Sequence, residues 1–166
     1  MERILSYAAW FLGISLLQVL ILNNIFLFGA ATPFLYIYPL LTLNRNIDRN
    51  LLMIIAFVAG LVIDIFSNTP GVNAAASVLT AFMRPGVLRM YAPREEFEDF
   101  EPNIHVLGIW AFFRYVITIL CIHHAALFLL EAFSLTHIGY LSLRILFSTL
   151  LTSFLVMAIE LIRHRH

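Results

Sequence analysis

The sequence predicts an all-α integral membrane protein, a compact bundle of six transmembrane helices folded as one domain over residues 1–166. Three observations carry that prediction. Hydrophobic residues make up 61% of the chain and charged residues only 12%, more apolar surface than a water-soluble fold of this length can hide. Apolar stretches of spanning length recur six times, near 4–22, 25–43, 51–67, 71–92, 104–130 and 141–162. A span needs about 20 residues at about 1.5 Å each to cross roughly 30 Å of hydrocarbon. Most joints between the stretches are short and polar, as Asn23-Asn24 and Ser67-Asn68-Thr69-Pro70 are, which suits antiparallel neighbours.

The first stretch, Ile4 to Leu22, is too long for a signal-peptide core and lacks a small-residue cleavage site, so it reads as a retained span. The second is interrupted by Gly29, Pro33 and Pro39, and the alternative to six spans is five plus this one broken segment. The third and fourth are joined by a turn ending in Pro70-Gly71. Between the fourth and fifth lies the most polar stretch, Arg94 to Pro102, which reads as a solvated loop.

Orientation follows from the arginines, because basic residues near span ends stay in the cytoplasm while acidic ones weigh little. With six spans, Arg3, Arg45, Arg49, Arg89, Arg94, Arg163 and Arg165 share one face. The acidic loop 93–103 and the C-terminus are therefore expected on the cytoplasmic side of a bacterial inner membrane. With five spans only Arg3 changes sides.

The formal net charge is zero and all ten basic residues are arginine, which argues against a nucleic-acid arm. Cys121 is alone in an apolar run, so no disulfide or thiolate cage is expected, and it reads as buried filler. His123 and His124 are adjacent and point about 100° apart on a helix, without an i+3 or i+4 ligand partner, which argues against a metal site. No nucleophile elbow, zinc-protease helix or phosphate-binding loop occurs. Neither cofactor nor catalytic residues are expected.

Charges inside spans need explanation, since an ionised side chain at mid-bilayer costs about 2.5–3.5 kcal/mol on insertion scales. Asp64 and Arg144 lie at matched depth near the outer end of their spans, which predicts an ion pair between them; snorkelling of Arg144 is the alternative. Arg114 is expected in the bundle interior or against a partner. Arg84 precedes Pro85-Gly86, which predicts a kink whose freed carbonyls satisfy the guanidinium. Small residues four apart, Ala56/Gly60, Ser77/Ala81 and Thr149/Ser153, mark faces for close helix approach.

The run from Ala59 to Ala75 has the order Gly60, three apolar residues, Asp64, two more, Ser67, then Pro70-Gly71 and Asn73 before an alanine-rich helix. This pattern resembles the signature of the rod shape-determining protein MreD family, and Arg84-Pro85 is similar to the version found in Bacteroidetes. Asn73 stands where many members carry His. The resemblance covers essentially the whole chain. It implies a non-enzymatic membrane scaffold of the rod complex that directs lateral peptidoglycan synthesis, with MreC as the main partner. RodA, a penicillin-binding transpeptidase and MreB are implied as further members, alongside membrane lipid and a second copy of the chain. It implies Gly60, Asp64, Ser67, Pro70, Gly71 and Asn73 as an interaction element. The family's fold is similar to the S components of energy-coupling-factor transporters, so a small-molecule-binding transport subunit is the alternative function. Against it, the outer loops carry few polar side chains beyond Asn23, Asn24, Asn68 and Thr69.

Overall fold

The computed structural model describes residues 2–26, 31–92, 99–133 and 138–163, with the backbone alone for residues 2–9. Every regular element among them is helical: α1 (Glu2–Leu20), a 3-10 turn (Leu22–Asn24), a second 3-10 turn (Leu35–Ile37), α2 (Tyr38–Thr42), α3 (Arg49–Ser67), α4 (Val72–Tyr91), α5 (Ile104–Leu107), α6 (Ile109–Ala132) and α7 (Ile138–Arg163). Helices α3, α6 and α7 are long and apolar enough to cross a bilayer. The readings placed on Gly29, on Arg94 to Glu98, on Arg165 and on the Arg3 side chain lie outside the described residues.

The bundle is apolar outside as well as in its core, and its interior also holds many polar side chains. Gln18, Asp64, Ser77, Thr80, Arg84, His123, His124, Thr152 and Glu160 are buried in its interior. Large apolar side chains such as Ile65, Phe66, Trp110, Phe154 and Ile162 cover its surface. Water would reward the opposite arrangement, whereas hydrocarbon rewards this one. Helix α3 packs on α4, α4 on α6 and α6 on α7, with α1 against α3. All three small-residue pairs face inward, since Ala56, Ser77, Ala81, Thr149 and Ser153 are buried and Gly60 meets the start of α4.

Residues 25–43 do not form one helix. Residues 31–34 are irregular and lead into the short 3-10 and α2 turns, and nearly all of 33–42 is buried among the long helices. Pro33 and Pro39 lack the N–H that a continuous helix requires, so the segment satisfies its backbone elsewhere. The N–H of Thr32 donates to Ser148 Oγ at 3.1 Å, that of Phe34 to Thr152 Oγ1 at 3.1 Å, and that of Leu35 to Gln18 Oε1 at 2.7 Å. Further along, the Tyr38 hydroxyl donates to Glu160. The segment thus runs beside α7 in the same direction, from the level of Ser148 to that of Glu160.

Other boundaries shift for local reasons. The expected fifth stretch, 104–130, is split by Gly108 at φ 79°, which ends α5 and starts α6. The described end of the polar stretch, residues 99–102, is less solvated than expected, because Phe100 is buried, its carbonyl accepts from Arg45 N at 2.9 Å, and Arg45 stacks over its ring. Cys121 is exposed on the outer face of α6, which corrects its reading as buried filler.

Candidate functional site

The motif residues form one unit at the α3–α4 joint. Asn68 and Gly71 take left-handed backbone conformations, at φ 54° and 82°, which reverse the chain in four residues. Gly60 then lies directly under the start of α4: a Cβ there would stand 2.5 Å from Ala74 Cα and from the Asn73 carbonyl oxygen. That separation allows Asp64 to reach across. Its Oδ1 accepts the backbone N–H of Asn73 at 2.9 Å, the Asn73 amide at 3.0 Å and the Thr69 hydroxyl at 2.9 Å, while Oδ2 accepts the N–H of Ala74 at 2.9 Å. Asp64 therefore caps a helix that its own Ncap residue, Gly71, has no side chain to cap. A carboxylate at a helix N-terminus is also favoured by the macrodipole.

The unit extends at both ends. Ser67 Oγ accepts the Asn23 amide at 2.7 Å, and the other side of Asn23 accepts from Gln18 at 2.8 Å, which ties the end of α1 to the end of α3. Inward, the Tyr36 hydroxyl lies 3.3 Å from Asn73 Oδ1, 3.1 Å from Ser77 Oγ and 3.1 Å from His123 Nε2. His123 Nδ1 is 3.1 Å from Thr80 Oγ1, whose proton is given to the Ala76 carbonyl at 2.8 Å. Thr80, Tyr36 and Ser77 thus hold both ring nitrogens of His123 in one buried hydrogen-bond chain. His124 turns to α7, with Nδ1 3.0 Å from Thr149 Oγ1 and Nε2 buried without a partner. The two histidines diverge as their adjacency requires, and among the described residues no three His, Cys, Asp or Glu side chains converge on a metal position.

Arg84 makes a second buried cluster. Its Nη2 donates to the Leu41 carbonyl at 3.2 Å and to that of Leu43, and its Nε donates to the Tyr115 hydroxyl at 3.2 Å, which itself donates to Leu41 at 3.0 Å. These carbonyls lie at the C-terminus of α2, where intrahelical donors run out. The freed carbonyls come from the broken segment beside Arg84, not from a kink at Pro85, and α4 continues to Tyr91.

Two expectations are overturned. Asp64 and Arg144 do not pair: Asp64 is occupied by α4, and Arg144 Nη2 lies 3.1 Å from Glu131 Oε2 with its guanidinium over the Phe128 ring at 4.2 Å. Matching depth in the sequence said nothing about which helices adjoin, and α7 adjoins α6. Arg114 is exposed on α6, which overturns its placement in the bundle interior and leaves contact with a partner as its other expected place.

Between the ends of α1, α3 and α6 and the start of α4 lies a cavity of about 320 Å³. Asn23, Ser67, Thr69, Asn73 and Glu131 supply its polar wall, and Phe34, Phe66 and Leu127 its apolar one. The short outer loops argued against such a pocket, yet most of its polar groups come from helix ends.

No family model matches the chain, and no curated protein or solved structure matches it either.

Sequence reasoning found Gly60, Asp64 and Asn73 but missed their buried partners. Tyr36, Tyr38, Gln18 and Glu160 sit in apolar runs where each looked like an isolated polar residue. Glu160 held the strongest available signal: an acidic residue within the last apolar stretch asks for a donor.

Proposed function

We propose that this chain is a non-enzymatic scaffold of the rod complex in a bacterial inner membrane, holding MreC and helping to direct lateral peptidoglycan synthesis. RodA, its penicillin-binding transpeptidase and MreB are the further members of the proposed assembly, with a second copy of the chain as another candidate neighbour. The observation that favours this reading is the use made of the motif. Gly60, Asp64, Ser67 and Asn73 are all spent on fixing α3, α4 and α1 to one another, which gives the bundle a definite shape and leaves its apolar flanks free for partner helices.

The proposed topology has six passes, with residues 25–43 as an irregular second crossing. Supporting it, Asn23 meets Ser67 at one end of the bundle, and Asn44 meets Asp99 at the other, with its amide 2.5 Å from the Asp99 carboxylate. The chain between Asn24 and Asn44 thus leads from one end to the other. On the arginine distribution, the Asn44 end is cytoplasmic, together with the N-terminus, the acidic loop and the C-terminus.

The test is affinity purification of the tagged chain in mild detergent from cells that depend on it. MreC is expected to co-purify, and depletion is expected to turn rods into spheres. Cells that stay rod-shaped on depletion, with no MreC retained, would sink the scaffold reading. A second reading, a subunit that binds a small molecule in the manner of a transporter S component, is favoured by the polar cavity beside Asn73.

A further inference from the structure

The walls of the cavity beside Asn73 share one electrical sign. Three helices end there: α1 with its following 3-10 turn contributes Val19, Asn23 and Asn24, α3 contributes Phe66 and Ser67, and α6 contributes Leu127 and Glu131. Helix C-termini carry roughly half a negative charge each from their unpaired carbonyls. The one helix that begins on the wall, α4, has its positive end covered by the Asp64 carboxylate, which accepts from Asn73 and Ala74. Glu131 adds a full negative charge, and among the described residues no basic one lines the cavity.

Arg144 approaches Glu131 from the α7 side through Nη2 alone, at 3.1 and 3.4 Å from the two oxygens. A carboxylate has about four lone-pair positions, so acceptor capacity remains on the cavity side. The Glu131 side chain is 40% exposed, open to a ligand, whereas Asn73 and Phe34 form a buried floor. The hydroxyls and amides around it offer hydrogen bonds of both kinds, and the wall includes two aromatic residues, Phe34 and Phe66, of the class that attracts ammonium groups.

We propose that this cavity binds a small organic ammonium group, with Glu131 as its counter-ion and the amide and hydroxyl groups of Asn23, Ser67 and Thr69 as its polar cradle. The proposal deepens the small-molecule-binding reading and does not depend on the scaffold one. The ammonium comes either from a free amine or from the headgroup of an aminophospholipid, and the two sources share the chemistry recognised here.

The test uses ethanolamine on the purified full chain in neutral detergent at low salt, read by the unfolding midpoint. A saturable rise with ethanolamine and none with ethylene glycol, its uncharged isostere, is expected. Glu131→Gln should weaken the response at least tenfold, and Arg144→Gln, which breaks the ion pair while keeping the carboxylate, should preserve or strengthen it. The second arm places the chain in nanodiscs of equal phosphatidylethanolamine and phosphatidylglycerol and identifies retained lipid by native mass spectrometry. Enrichment of phosphatidylethanolamine that Glu131→Gln abolishes, without any response to free ethanolamine, assigns the headgroup as the source. A response equal to that of ethylene glycol, or one that acetate reproduces, would keep a binding pocket and overturn its ammonium assignment. No response in either arm, or one that Glu131→Gln leaves unchanged in a folded variant, overturns the site itself.

Discussion

The Asp64 carboxylate accepts the main-chain N–H of Ala74 at 2.9 Å across the α3–α4 turn, so a charge in one helix caps the next. Arg84 acts in the opposite sense at the other end of α4, donating to the carbonyls of Leu41 and Leu43 where α2 runs out. In both places a buried charge meets backbone groups that hydrocarbon would otherwise leave unsatisfied. Neither needs an opposite charge, which is why the expected Asp64–Arg144 pair does not form.

Removal of the Asp64 side chain strands two backbone N–H groups, with an amide and a hydroxyl also losing their acceptor. Asp64→Ala is expected to cost about 2 kcal/mol or more, since each buried unsatisfied group costs about 1–3 kcal/mol. Asp64→Asn retains one acceptor oxygen and should lose less. Unfolding in detergent checks the order Asp, Asn, Ala; an Asp64→Ala protein as stable as the parent would show that the cap is dispensable.

Gly60→Ala places a methyl group 2.5 Å from the backbone of α4, a separation that flexible side-chain movement does not relieve. The two helices must part, breaking the Asp64 cap as they do, so a loss of at least about 1–3 kcal/mol is expected from overpacking alone. Because both changes act through the same helix separation, the double variant Gly60→Ala/Asp64→Ala should lose less than the sum of the singles. Strict additivity would separate the two residues' roles.

The Glu131–Arg144 pair replaces the one that depth matching suggested. It is partly exposed, so a double-mutant cycle should give a coupling of about 0.2–1 kcal/mol. A cycle between Asp64 and Arg144 should give none, and a clear coupling there would contradict the packing of α7 against α6.

The helical class and the apolar exterior were legible in the sequence because both follow from composition and from the length of apolar runs. The close α3–α4 turn was legible in Gly60 and Pro70-Gly71, but Asp64 was expected to pair with Arg144, and its cap on α4 was not foreseen. Buried partners were not legible. Tyr36 and His123 are 87 residues apart, and nothing local to either says that the Tyr36 side chain of the broken segment reaches both α4 and α6. Gly29, Pro33 and Pro39 announced the break, but where the freed backbone found its bonds, on Gln18, Ser148 and Thr152, was decided by helix packing. The cavity was missed for the same reason, since its polar wall is assembled from the ends of separate helices.

The path of residues 25–43 decides between six passes and five, and a pair of cysteines reads it directly. After Cys121→Ala, cysteines are placed singly at Asn24 and Asn46, both exposed and on either side of the broken segment. Asn23 is tied to Ser67 at one end of the bundle and Asn44 to Asp99 at the other, so the two probes should lie on opposite faces of the membrane. With the arginine-rich end in the cytoplasm, Asn24→Cys should react with an impermeant maleimide added to intact cells, and Asn46→Cys only after permeabilisation. Were both to react only after permeabilisation, residues 25–43 would enter and leave by the same face and the count would fall to five. The reverse pattern, Asn46→Cys labelled from outside and Asn24→Cys from within, would keep six passes and invert the protein.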